Sequence, residues 1–351
     1  MGNPLANDLD HILDHTSTIW DDLRNANFFI TGGTGFFGKW LLESLLWATN
    51  RLDLNCRVTV LTRSPDNFKF NAPHLSNHQA VSVLSGDVRS FDFPAGTYTH
   101  IIHAATESSA RLNEEDPLTM LDTIVEGTQH TLNFAKTCGA KKILFTSSGA
   151  VYGKQPPDMT HIQEDYTGAP DTLDPKSAYG EGKRLAEHLC ALYANSHLEI
   201  KIARCFAFVG PYLPLNTHFA IGNFIRDAMK GGPIIIEGDG TPHRSYLYAA
   251  DLAVWLWTIL VQGKSLRPYN VGSEDSHSIT DIARHVAGHY QPAIVVETRN
   301  EPDPHKPISR YVPKTQTAQR SLLLSQKIQL DEAIARTIQW HKNKEKQSNN
   351  L

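Results

Sequence analysis

The segment Phe28–Trp47, FFITGGTGFFGKWLLESLLW, admits few folds. An apolar, strand-like stretch over Phe28–Thr31 runs into a knot of glycines and out into a helical pattern over Lys39–Thr49. Gly32, Gly35 and Gly38 read as GxxGxxG; Gly33, Gly35 and Gly38 read as GxGxxG. Both frames answer one need. The strand must turn sharply into a helix while its backbone comes close to something else, and side chains there would block the approach. Amides at the mouth of the helix then face an anion, and a dinucleotide pyrophosphate suits that place. Three glycines alone also fit a plain tight turn, so the choice falls to the rest of the chain.

Strand-like and helical stretches alternate after this turn. Strands are predicted at Arg57–Thr62, Ala80–Leu84, His100–Ala105, Lys142–Ser147 and Glu199–Phe206, with helices at Pro117–Cys138 and Ser177–Asn195. Alternation of this kind predicts an α/β fold with a Rossmann-type doubly wound parallel sheet. Past Gly210 the texture changes. Helices are expected at Phe219–Lys230, Asp251–Gln262, Ile279–Tyr290 and Gln326–Lys342, with short strands at Pro233–Glu237 and Asn270–Gly272. The expected organisation is an N-terminal helical extension (1–26), a dinucleotide-binding domain (27–210, with later segments returning to it), a smaller C-terminal substrate-binding lobe (211–342) and a disordered tail (343–351).

Bulk properties narrow the function. The 351 residues carry a net charge of −4, with 40% hydrophobic and 20% charged residues, which argues against nucleic acid as a partner and for an ordinary core. Cys56, Cys138, Cys190 and Cys205 form no CxxC spacing and read as reduced, buried thiols. The longest apolar run, Leu252–Val261, is about half a membrane span. The start of the chain lacks the basic and apolar regions of a signal peptide. The expectation is a soluble, cytoplasmic protein with no membrane partner. The pairs His11/His15, His74/His78 and His285/His289 have i, i+4 spacing but no third ligand in view, so no metal is expected.

The end of the second strand bears on the cofactor. An acid there would accept from the adenosine ribose hydroxyls, but the chain has Thr62 and Arg63. Arg63 could pair with a 2′-phosphate, so the cofactor is read as NADP or NAD, with NADP favoured. Asp87, beside Val88 in GDV, follows the third strand and could accept from the adenine amine. Ala104 and Ala105 in HAAT end the fourth strand near the middle of the cofactor. Gly32, Gly35, Phe36, Phe37 and Gly38, with Tyr179 and Lys183 further on, complete the cofactor set.

Tyr179 and Lys183 form YxxxK, and i, i+4 spacing puts both on one helix face. An ammonium near a phenol favours phenolate and should lower the tyrosine pKa, fitting Tyr179 for proton exchange with a sugar oxygen during hydride transfer. Ser148, at the end of a predicted strand, could bond the same oxygen.

Together, TGGTGFFG, GDVR, HAAT, TSSGAVYG, YGEGK, ARCFAFVGP, GDGTPHRSYLYAADLA and YNVGS resemble the extended short-chain dehydrogenase/reductases of the NAD(P)-dependent nucleotide-sugar epimerase/dehydratase family, over about residues 27–342. The resemblance implies a catalytic triad of Ser148, Tyr179 and Lys183, with Tyr179 as acid/base, Lys183 also holding the nicotinamide ribose and Ser148 positioning the sugar C4 oxygen. It implies a nucleotide-diphosphate sugar as substrate, held by Ser148, Gly149, Asn223, Arg244 and Arg310. It further implies a homodimer built on the helix at 117–138 and the helix carrying Tyr179.

The chain also departs from that family. Its 4,6-dehydratases carry an Asp-Glu pair where Gly149 and Ala150 stand, and its sugar-acid decarboxylases carry Glu at the Ala150 place. Ile124 and Ala207 stand where the family often has Asn. The expected reaction is therefore hydride transfer at sugar C4, as a 4-epimerase or a 4-keto reductase. The alternatives are a 4,6-dehydratase, a sugar-acid decarboxylase, or a non-catalytic relative that only binds dinucleotide.

Overall fold

A computed structural model describes residues 3–106, 110–217 and 219–349. Seven parallel strands form the main sheet: β1 (Asn27–Thr31), β2 (Arg57–Thr62), β3 (Val81–Ser85), β4 (His100–His103), β5 (Lys142–Ser148), β6 (Glu199–Cys205) and, much later in the chain, β11 (Pro268–Val271). Their order is β11-β6-β5-β4-β1-β2-β3. The order reverses between β1 and β4, and in open parallel sheets a ligand cleft opens at such a switch point. β1 is buried along nearly its whole length, Phe28 and Phe29 completely, because helices cover both faces.

The helices from the first half are α1 (Ala6–His15), α2 (Phe36–Leu52), α3 (Pro65–Asn71), α4 (Pro73–Ser76), α5 (Ala110–Glu115), α6 (Pro117–Cys138) and α7 (Ala178–Tyr193). The ends of α6 are specified locally. Pro117 opens it, the Asp116 carboxylate accepts the Thr119 amide at 3.1 Å, and Gly139 closes it at φ 75°. α6 lies along α7, which brings Gly182 against Leu121 and Ile124.

The later segments build small sheets around the mouth of the cleft. β7 (Phe208–Val209) pairs with β10 (Leu247–Tyr248), and β8 (Ile234–Ile236) pairs with β13 (Val296–Thr298). β9 (His243–Arg244) lies between β12 (His277–Ser278) and β14 (Arg310–Tyr311). Helices α8 (Ala220–Met229), α10 (Ile279–Gly288), α11 (Gln316–Leu322) and α12 (Leu330–Asn349) pack around them. α9 (Ala249–Gln262) contains the longest apolar run and is buried from Ala249 to Val261, against α1 and α2. It is a core helix, hydrophobic all round, and among the described residues no helix is long and apolar enough to cross a membrane.

Several boundaries differ from expectation. The fourth strand stops at His103, so Ala104 and Ala105 belong to the loop above the sheet. The final helix starts at Leu330 rather than Gln326 and runs on to Asn349, through the segment expected to be disordered. The N-terminal extension docks on the core. Asp8 accepts from the Tyr248 hydroxyl at 2.7 Å, and buried Asp251 accepts from His11 at 3.0 Å and from the Lys327 and Ile328 amides.

Candidate active site

The glycine turn is a cradle in which positions 32 and 38 admit only glycine. Gly32 has φ +73°, and a Cβ there would stand 2.5 Å from the Ala104 carbonyl carbon. A Cβ on Gly38 would stand 2.3 Å from the Gly32 carbonyl oxygen. α2 begins at Phe36, and the first amides of a helix have no partners within it. The cradle therefore leaves backbone donors at a helix mouth, the chemistry a pyrophosphate requires. The Phe37 ring packs edge-on against Phe208 at 5.0 Å and tilts against the Phe36 ring at 5.8 Å. Gly38 lies beneath the turn, touching Gly32 and Gly33.

A cleft of about 370 Å³ opens above this turn. It takes in Gly32, Gly35, Arg63, Asp87, Val88, Ala104 and Ala105 from the sequence-based set. It also takes in Thr34, Lys39, Ser64 and Thr106, which that set missed. Asp87 is clamped by Arg89 through bonds of 2.9 and 3.1 Å, and this clamp holds its carboxyl below the usual carboxylate range. Lys39 lines the same cleft over the Tyr212 ring, and burial lowers its pKa.

Beyond the cleft-lining Thr106, to which Lys183 bonds, the structure brings Ser148, Tyr179 and Lys183 into one neighbourhood. Ser148 ends β5 and is 5% exposed; its Oγ accepts the Ala150 amide at 3.1 Å. The Tyr179 phenol lies beside Ser148. Lys183 is buried and donates to the Thr106 hydroxyl at 2.7 Å and the Thr146 carbonyl at 2.8 Å. The expected effect of Lys183 on Tyr179 is not seen. Burial raises the phenol pKa, the Ser148 hydroxyl offsets part of the rise, and Lys183 is turned toward the end of β5. Burial also lowers Lys183 to about 8. Burial thus favours a protonated phenol at Tyr179 and leaves a desolvated ammonium at Lys183.

The substrate-side residues are divided. Arg244 is half-buried, its guanidinium donates to the His243 carbonyl at 2.8 Å, and burial lowers its pKa. Among the described residues no carboxylate lies within ion-pair distance of it. A desolvated guanidinium of this kind suits a diphosphate. Asn223 is engaged by Arg226, whose guanidinium donates to its side-chain oxygen at 3.0 Å. Arg310 points outward and donates to the Pro157 carbonyl at 3.1 Å. Its neighbour Tyr311 enters the site instead, with its hydroxyl 3.4 Å from Ser148 Oγ. Side chains alternate along a strand, so Arg310 and Tyr311 stand on opposite faces of β14. Above Gly149 lie Phe206 and Tyr311, which fill the space a side chain would need.

Other polar groups are structural. Arg204 forks onto Glu187 at 2.9 and 2.7 Å and reaches the Tyr152 hydroxyl at 2.9 Å, tying β6 to α7. The histidine pairs are held by carboxylates: His11 by Asp251, His74 by Glu43, His285 by Asp331. Among the described residues no three potential ligands are arranged to hold a metal ion.

Comparisons with known proteins agree with this geometry. The chain is 31% identical over 295 residues to UDP-glucuronic acid decarboxylase 6 of Arabidopsis thaliana, covering 80% of this chain and 81% of that protein. Its fold matches a UDP-N-acetylglucosamine 4-epimerase from Methanobrevibacter ruminantium M1 with a TM-score of 0.78 at 20% identity, over 92% of this chain and 99% of the other. It also matches the UDP-glucuronic acid 4-epimerase of Bacillus cereus, solved with UDP-glucuronic acid and NAD, with a TM-score of 0.74 at 21% identity, over 90% and 99% of the two chains. The sequence profile of one family covers residues 28–272, from the first strand past β11. On this match and the decarboxylase relative, the chain belongs to the NAD dependent epimerase/dehydratase family.

Proposed function

We propose that this protein is an NAD(P)-dependent enzyme that oxidises or reduces C4 of a sugar carried on a nucleoside diphosphate. The observation that carries this reading is the meeting of Ser148, Tyr179 and Lys183, joined to the cleft through the bond from Lys183 to Thr106. When bound, the dinucleotide supplies the hydride acceptor or donor. Tyr179 takes the C4 hydroxyl proton as phenolate or returns one as phenol. Ser148 holds that oxygen. Lys183, positioned by Thr106 and Thr146, presents its ammonium to the ribose and to the phenol. Arg244 binds the diphosphate. Arg63, in a cleft whose β2 end carries Thr62 rather than a carboxylate, favours NADP over NAD.

The relatives named as decarboxylases support a second reading, since their sequences cover most of this chain. Against it stands Ala150, where that class carries Glu, and Gly149 brings no acid either. A 4-epimerase or 4-keto reductase needs only the hydride machinery.

One experiment tests the proposal and divides its branches. Purified protein is denatured and the released dinucleotide identified; refolded-free native protein is then offered UDP-, dTDP-, CDP- and GDP-hexoses and their 4-keto forms. Stoichiometric bound NAD⁺ with inversion at C4 identifies an epimerase. An empty protein that consumes NADPH with a 4-keto sugar identifies a reductase. Pentose and CO₂ from UDP-glucuronic acid would identify a decarboxylase. Tight dinucleotide binding with no turnover of any of these would refute C4 chemistry.

A further inference from the structure

One cation in the dinucleotide cleft is held by aromatic rings instead of by an acid. Lys39 stands on α2 about one turn in from the helix mouth and lines the cleft with Gly32, Thr34 and Gly35. Among the described residues no carboxylate lies within ion-pair distance of it. Glu43, four residues on and on the same face of α2, is already taken. It accepts the Tyr212 hydroxyl at 2.5 Å, meets His74 at 2.7 Å and accepts the Asn3 side-chain amide at 3.4 Å. The Lys39 ammonium rests on the ring of Tyr212, 5.2 Å from its centroid.

Tyr212 is set there under constraint. Its φ is 71°, a region that a residue with a Cβ keeps only where its surroundings impose it. The Trp40 indole donates to the Pro211 carbonyl at 2.8 Å, Glu43 takes the phenol, and the Trp340 ring of α12 meets the Tyr212 ring edge-on at 4.9 Å. Lys344, one turn further along α12, lies over the Trp340 ring at 5.3 Å. A file of cation, ring, ring and cation thus runs from the cleft to the last turns of α12. Burial and the charge of Lys344 both disfavour the Lys39 ammonium, and an anion in the cleft would relieve both.

We propose that Lys39 binds the pyrophosphate of the dinucleotide and that Tyr212 and Trp340 position it, which makes the C-terminal helix a part of the cofactor site. The pyrophosphate is the anion at hand, because Lys39 stands on the helix whose mouth faces it. The 2′-phosphate is assigned to Arg63, at the end of β2. Tyr212 and Trp340 act on the cofactor only through Lys39. The inference rests on the dinucleotide cleft of the function proposed above and is independent of the chemistry at C4.

The test titrates the full chain, cleared of bound nucleotide, with NAD⁺, NADP⁺ and ADP-ribose, which share a pyrophosphate. Lys39→Met keeps an apolar stem on the Tyr212 ring and removes the charge. It is expected to raise all three Kd values by about 10- to 100-fold, the range for a charge-assisted bond, and to flatten their dependence on salt. Lys39→Arg should restore most of the affinity. Trp340→Leu should raise the same Kd values by about 3- to 10-fold, the scale of coupling through packed side chains, and Trp340→Phe should recover them. Amide exchange separates positioning from plain stability. In the wild type, NAD⁺ should slow exchange over residues 336–346; in Lys39→Met it should not. Unchanged Kd values in Lys39→Met overturn the assignment. A loss confined to NADP⁺ overturns it as well, since that places Lys39 on the 2′-phosphate. Exchange in α12 that ignores NAD⁺ in the wild type overturns the role of the C-terminal helix. If the wild type binds none of the three, the proposed function fails first and this inference falls with it.

Discussion

Lys183 Nζ donates to the Thr146 carbonyl at 2.8 Å, so the ammonium on α7 is anchored to the β5 strand that ends in Ser148. This bond holds a charge in a buried place, and burial lowers the lysine from 10.5 to about 8. Below about pH 8 the folded protein bears the full cost of that charge; the cost fades as pH rises from about 8 to 10.5, because the unfolded chain holds the proton longer. The shift corresponds to about 3 kcal/mol, partly offset in a variant by the orphaned Thr146 carbonyl. Lys183→Met is therefore expected to lose turnover while matching or exceeding wild-type stability at pH 7, and to lose that advantage by pH 10. Urea midpoints at the two pH values check this; a variant much less stable than wild type at pH 7 contradicts it.

Tyr179→Phe should lower turnover by about 10²- to 10⁴-fold, the usual worth of a positioned acid/base group. Dinucleotide affinity should not change, since the phenol lies beside Ser148 and outside the cleft above the glycine turn. Near-normal activity would remove Tyr179 from the reaction.

Two glycines of the turn should fail in different ways. Ala at Gly38 drives a methyl into backbone, 2.3 Å from the Gly32 carbonyl, and should cost about 1–3 kcal/mol or more of stability. Ala at Gly35 meets only the Gly32 carbonyl at 3.4 Å, so Gly35→Ala should fold normally and lose dinucleotide affinity instead, because residue 35 lines the cleft. Parallel urea melts and dinucleotide titrations separate the two; equal stabilities would sink the packing account.

Arg63→Ala should raise the Kd for NADP(H) by about 10- to 100-fold, the range for a charge-assisted bond, and change NAD(H) binding by less than about twofold. Equal effects on both cofactors would leave the phosphate assignment without support.

Acid should unfold the protein from beneath the cleft. His103 is 3% exposed, bonded to Thr31 at 2.8 Å and Thr128 at 3.0 Å, and burial lowers it to about 3; burial also lowers His100 to about 4. Both are neutral in the fold and take protons more readily when unfolded. Stability is thus full above about pH 6.5 and falls as pH drops from there toward 3–4, by up to about 1.4 kcal/mol per pH unit for each histidine. His103→Gln should flatten the slope of urea midpoint against pH between 6 and 4.5. An unchanged slope would show that other groups govern acid unfolding.

Long, regular elements were legible in the sequence because their signals are local. Arg57–Thr62 and Pro117–Cys138 form the strand and helix that their patterns suggest, to the residue. The strands of the small sheets were not legible: two residues such as His243–Arg244 carry no period, and only distant pairing makes them strands. The same limit hid Tyr311. The segment SRYVP was visible, but which of its side chains faces Ser148 depends on register with β9. The phenol–ammonium relation failed for another reason. Spacing of i, i+4 puts Tyr179 and Lys183 on one face of α7, yet the long lysine chain is claimed by Thr106 and Thr146.

The two sides of the cleft are built to unequal strength. On one side β5 and β6 are paired through seven registered residues, with Ser148 at the end. On the other, β9 and β14 meet through two, with Arg244 and Tyr311 there. In mechanical terms this is an anvil and a sprung jaw. Amides of β9, β12 and β14 should exchange with solvent well before those of β5 and β6, since short pairings open at lower free energy. The cradle of Gly32–Gly38 follows β1, in the interior of the seven-stranded sheet, so the strand beneath it should exchange with the slow set.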